Sequence, residues 1–86
     1  MELVTVIGAE YQDDFKISLK FNDGVNGVVD LNKYLEGEIF EPLKNQEYFK
    51  KFTLDTWTIG WDNGADFAPE FLYDLTLKNK LLSLIE

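Results

Sequence analysis

Apolar and polar positions alternate most regularly in Phe15-Lys16-Ile17-Ser18-Leu19-Lys20-Phe21, where single polar residues separate four large apolar ones. Side chains on a strand point alternately to opposite faces, so this run predicts a β-strand with one buried and one wet face. Before it, the β-branched residues Val4, Val6 and Ile7 predict a first strand within Leu3 to Tyr11, joined through the turn cluster Gln12-Asp13-Asp14. After it, Asn22-Asp23-Gly24 supplies the Asp-Gly of a tight hairpin, and Val25 to Leu31 returns antiparallel as a third strand. Gly27 inside that strand marks either a bulge or a place where another element packs close to the backbone.

The period then changes. Leu31, Tyr34 and Leu35 fall at helical spacing behind Asp30, which is placed to cap a short helix that Gly37 stops. Ile39, Phe40 and Leu43, interrupted by Pro42, form an irregular apolar patch, and Asn45 caps a single turn carrying Tyr48 and Phe49 inward. Phe52 and Leu54 begin a second hairpin, turning near Asp55-Thr56, in which Trp57, Ile59 and Trp61 alternate with Thr58 and Gly60. Asn63-Gly64 is a further turn dipeptide. Pro69 then fixes a helix start, because proline is tolerated in the first turn, where its missing N–H is not needed. Phe71, Leu72 and Leu75 make an apolar stripe resumed by Leu81, Leu82 and Ile85 beyond Lys78-Asn79-Lys80, so the helix either continues or restarts there. The expected fold is α+β: a small antiparallel sheet of about five strands in hairpins, packed with short helices and a C-terminal helix. The 86 residues show no linker or repeat and are read as one domain, 1–86.

Composition narrows the function. Seven Phe, four Tyr and two Trp supply the large buried rings that so short a chain needs to make a core. Sixteen acidic residues face eight lysines, with neither Arg nor His present. A net charge of −8 repels phosphate backbones, which disfavours nucleic acid as a partner. The absence of Cys removes disulfides and thiolate metal sites, and no apolar run reaches the ~20 residues of a membrane span. A cytoplasmic location is the expectation.

Candidate chemistry concentrates in the thirteen residues from Trp61 to Tyr73. Asp62, Asp66 and Glu70 are spaced by four and carry the oxygen ligands a hard cation takes, but each also has a structural task as turn residue, helix cap or partner of the helix dipole. They are candidates for a metal site, without the spacing of a calcium loop. Without His, no serine or threonine has a triad base, so no catalytic residue and no cofactor is assigned. The tyrosines and tryptophans, with few cations around them, read as core and not as a base-stacking platform. Trp61 and Tyr73, at element edges and with polar tips, are the exceptions. The candidates for contact with a protein partner are therefore Trp61, Asp62, Glu70 and Tyr73. The terminal stripe Leu72, Leu75, Leu81, Leu82, Ile85 either completes the core or docks on a partner or a second copy, giving a route to a homo-oligomer.

Phe21-Asn22-Asp23-Gly24, Val29-Asp30-Leu31, Ile39-Phe40-Glu41-Pro42-Leu43, Tyr48-Phe49 and above all Trp61-Asp62-Asn63-Gly64-Ala65-Asp66-Phe67-Ala68-Pro69-Glu70-Phe71-Leu72-Tyr73 carry a resemblance. Over about residues 2–73 the chain resembles the small bacterial family of unknown function numbered 2442, leaving 74–86 as a helical extension. The resemblance implies an α+β fold like the amino-terminal domain of longer relatives. Some of these carry a helix-turn-helix behind it, which Asp74–Glu86 is too short to form. It also implies a sensing or interaction role in regulation, in gene arrangements similar to toxin–antitoxin pairs. The expectation is a non-enzymatic protein-interaction domain. The alternative is a metal-dependent or small-ligand-binding protein using Asp62, Asp66 and Glu70.

Overall fold

A computed structural model describes the backbone of residues 3–85 and the side chains of residues 3–82. Strands β1 (Val6–Tyr11), β2 (Lys16–Phe21) and β3 (Asn26–Asp30) form an antiparallel meander in the order β1-β2-β3. Register follows the alternation: Ile17 lies opposite Val29 and Leu19 opposite Gly27, so Ile17, Leu19, Phe21 and Val29 share the buried face. The wet face carries Lys20 and Asn26. β1 starts at Val6 rather than Leu3, because the preceding segment is held side-on. Asn22 donates from Nδ2 to the Leu3 carbonyl (2.9 Å) and accepts from the Thr5 N–H (3.1 Å). The register between Val6 and Gly8 shifts by one, pushing Ile7 outward, where it is half exposed.

The segment after β3 is tighter than a helical period implies. Asn32–Tyr34 is a three-residue 3-10 turn with Leu31 in the capping position; Asp30 closes the strand and its Oδ1 accepts from the Asn32 N–H (3.0 Å). Gly37 begins a second 3-10 helix, Glu38–Lys44, where an irregular patch is expected from the sequence, and that helix accommodates Pro42. Asn45 caps helix α1 (Gln46–Phe49), accepting from the Glu47 and Tyr48 N–H groups. The second hairpin is shorter than the alternation predicts. β4 (Thr53–Leu54) and β5 (Ile59–Gly60) are two residues each and form a separate sheet. They stop there because the chain turns onto itself: Trp61 donates its N–H to the Ala65 carbonyl (2.9 Å) and Gly60 bridges to Asp66.

Helix α2 (Pro69–Ile85) starts at the proline and runs unbroken through Lys78-Asn79-Lys80. It lies on the buried face of the meander and comes close to the backbone at Gly27. A Cβ there would sit 2.9 Å from Thr76 Cγ2. Asn79 Nδ2 donates to the Val28 carbonyl (2.9 Å), tying the helix to the outer strand. The terminal stripe divides accordingly: Leu72 is fully buried and Leu75 half-buried, whereas Leu81 and Leu82 are each 59% exposed, and the Ile85 side chain lies outside the described residues. Between the layers runs a connected chain of rings. Tyr11 and Phe15 meet Phe49, Phe49 meets Trp61, Trp61 meets Phe67, and Phe67 meets Phe71, with centroid separations of 5.2–6.3 Å. This is where a chain of this length finds apolar area to bury.

Candidate functional site

The corner from Trp61 to Tyr73 is built on a turn. Gly64, at a φ of +94° that favours glycine, lets its N–H reach the Trp61 carbonyl (3.0 Å), and Asn63 fixes the loop by donating to Ile39 O (2.8 Å) and accepting from Ala65 N–H (3.0 Å). The turn points Trp61 inward. The residue is 5% exposed and its indole N–H donates to the Phe49 carbonyl (2.9 Å), so Trp61 belongs to the core and offers a partner almost no surface. This corrects the expectation drawn from its place at the strand end.

Asp62 is exposed, and its Oδ1 accepts from the Tyr48 hydroxyl at 2.5 Å, joining the corner to α1. Tyr73, half-buried on α2, makes the equivalent bond to Asp23 Oδ2 (2.5 Å), joining the helix to the β2–β3 turn, while Asp23 Oδ1 accepts from Val25 N–H (3.0 Å). The Tyr73 hydroxyl, followed by the Val25 N–H, holds the Asp23 carboxyl below its ordinary value of 3.8. The same two short bonds raise the phenols, because the Tyr48 hydroxyl donates a hydrogen bond to Asp62 and the Tyr73 hydroxyl donates one to Asp23. Both tyrosines thus remain neutral donors at physiological pH, and Asp23 an ionised acceptor.

Asp66 and Glu70 stand apart from Asp62. Both are exposed and line one cleft, about 440 Å³, between the segment Leu3–Thr5, the residues Trp57 and Thr58, and the start of α2. A second cleft, about 400 Å³, shares Leu3, Val4 and Glu70 with the first and is closed by Asp23, Tyr73 and Asp74. Asp62 lines neither, and among the described residues no three acidic side chains gather closely enough to hold a metal ion. The four-residue spacing fails to converge because Asp62 lies in the turn before Gly64 while Glu70 is already on the helix.

The residue that sequence reasoning missed is Trp57. Expected to face inward with Ile59 and Trp61, it is 56% exposed, while Thr58 is buried and donates its hydroxyl to the Phe67 carbonyl (2.7 Å). The signal was the neighbouring Asp55-Thr56: the turn extends to Trp57, and Asp55 N–H bonds to Thr58 O (2.7 Å), so strand alternation restarts only at Ile59.

With the geometry in view, the match to known families can be placed on it. A family model described as "Protein of unknown function (DUF2442)" matches residues 6–76, most of the chain. The chain belongs to that family. The matched DUF2442 span covers the meander, the 3-10 segments, α1, the corner and the first half of α2, ending at Thr76, the residue against Gly27. No curated protein and no solved structure matches. Among the described residues, no helix is long and apolar enough to cross a membrane.

Proposed function

We propose that this DUF2442 chain is a non-enzymatic protein-interaction domain, one component of a bacterial regulatory or toxin–antitoxin-like pair. The observation that carries the reading is the pair of adjoining open clefts at the start of α2, rimmed by acidic side chains and bearing an exposed tryptophan. Such a surface, concave and with an aromatic anchor, has the composition of a contact site. The shifted groups favour binding over catalysis, since Asp23 is held as an acceptor and Tyr48 and Tyr73 are held further from the phenolate a nucleophile requires.

Size-exclusion chromatography of the purified chain mixed with the product of the adjacent gene tests the proposal. A joint peak at micromolar concentrations is expected; two separate peaks overturn it. The metal-dependent alternative through Asp62, Asp66 and Glu70 has a test of its own. A ligand of the native state raises its stability by mass action, so a millimolar addition of Mg²⁺, Mn²⁺ or Ca²⁺ that raises Tm by more than about 3 °C would establish it. An unchanged Tm is expected.

A further inference from the structure

We propose that the cleft between Leu3–Thr5, Trp57 and the start of α2 receives a basic peptide segment of a partner protein, an arginine or lysine stem lying on the Trp57 indole with its charge toward Asp66 and Glu70. This deepens the interaction reading above and rests on it.

Three observations lead to that occupant. The first is presentation. An exposed tryptophan is costly in water, yet Trp57 is held in place: its carbonyl accepts from the Val6 N–H (2.8 Å) and the next residue is locked by the buried Thr58–Phe67 bond. The backbone that carries the ring is fixed, so less freedom is lost on binding than from a loose loop, and aromatic anchors dominate contact energies. The second is shape. The cleft holds about 440 Å³ and continues through Leu3, Val4 and Glu70 into its neighbour of about 400 Å³, so it takes an extended segment and not a single side chain. The third is charge. Asp66 and Glu70 line the first cleft, Asp23 and Asp74 are added in the second, and neither lining contains a lysine. Both oxygens of Asp23 are already engaged, by Tyr73 and by Val25, which leaves Asp66, Glu70 and Asp74 to meet a cation. An indole face attracts a cation, and the apolar stem of arginine or lysine packs on it while the charged head reaches the rim.

The probe is a heptapeptide of alternating arginine and leucine, acetylated and amidated. Extended, it spans about 23 Å, short of the 32 Å breadth of the molecule. Titration calorimetry of the full chain at low salt is expected to show saturable binding that weakens with salt, while the same peptide with glutamate for arginine shows none. Trp57→Ala is expected to weaken binding at least about tenfold and Glu70→Lys at least about fivefold. Glu10→Lys, an equal change of charge at an exposed site on the meander, is expected to leave it within about twofold. All three residues are exposed, and unchanged far-ultraviolet circular dichroism confirms that the variants fold.

Equal weakening by Glu10→Lys and Glu70→Lys would reduce the effect to net charge and overturn the proposal. So would binding of the glutamate peptide, or displacement of the arginine peptide by equimolar spermidine, which would mark a site for small cations. The broader reading fails separately. A complex with the adjacent gene product that survives both Trp57→Ala and Glu70→Lys keeps the interaction function and rejects this cleft. Peptide binding without any such complex keeps the cleft and rejects the pair.

Discussion

Gly27 and Thr76 show how closely a single residue is specified. A Cβ on Gly27 would fall 2.9 Å from Thr76 Cγ2, and Thr76 is fully buried, so neither side has room to move. Gly27→Ala is expected to destabilise the fold by about 1–3 kcal/mol, the usual cost of overpacking. Thr76→Ser removes the offending methyl and keeps the hydroxyl bond to Leu72 O (2.8 Å), so the double variant is expected to recover at least ~0.5 kcal/mol in a urea-denaturation cycle. Tyr73 and Asp23 specify each other through charge instead. The Asp23 midpoint, followed by carboxyl NMR shifts, is expected below 3.8 and to rise toward it in Tyr73→Phe, which removes the principal cause of the shift. A midpoint unmoved by that substitution would show that the bond does not hold in solution.

Elements differ in how much of them the sequence discloses. Strict alternation over Phe15–Phe21 located β2, because a sheet with one covered face demands that pattern; Asp23-Gly24 and Pro69 located the turn and the start of α2, because each residue type suits the backbone found there. Asp30–Leu35 and Ile39–Lys44 were not readable as 3-10 helices. Apolar spacing of three to four residues serves both helix types, and tertiary packing of Leu31, Leu35 and Leu43 decides between them. β4 and β5 were legible as strands but not in length. The backbone groups after Gly60 pair across the Ala65-Asp66 turn, and no local pattern announces that. Of the residues expected to meet a partner, Glu70 and Tyr73 line the clefts, Asp62 lines neither and Trp61 is buried; Asp66, expected only as a metal candidate, lines one, and Trp57 was missed because its exposure depends on where one turn ends. On α2, the legible part is the buried turn around Leu72. What holds the following turns is Asn79, whose amide reaches Val28 O. Asn79→Ala is expected to cost about 0.5–1.5 kcal/mol and to speed amide exchange in the last turns of α2 more than in the meander.

For the whole molecule, the three shifted groups define a window of stability. Asp23 has its folded value lowered, so its contribution is present above the ordinary 3.8 and is lost as pH falls through the folded value. Tyr48 and Tyr73 have theirs raised, so their contributions are present below the ordinary 10.0 and are lost as pH rises through the folded values. With no His to titrate between, Tm is expected to stay level from about pH 5 to 9 and to fall on both sides. Tyr73→Phe is expected to blunt both edges, since it removes one partner of the acid-side bond and one of the two phenols. A differential scanning profile across that range checks it.

The long reach of the ties to α2 also sets the order of assembly in time. Strands β1 to β3 lie within residues 6–30 and close by hairpins alone, whereas Tyr73 meets Asp23 and Asn79 meets Val28 across separations of 50 and 51 residues. Closing loops of that size costs entropy before any contact repays it, so the meander forms early and α2 seats late. In stopped-flow experiments Ile17→Val is then expected to slow refolding, while Tyr73→Phe and Asn79→Ala leave refolding nearly untouched and hasten unfolding. Until α2 arrives, Ile17, Leu19 and Phe21 lack their cover, and for that interval the nascent sheet presents an apolar face to which other chains can adhere.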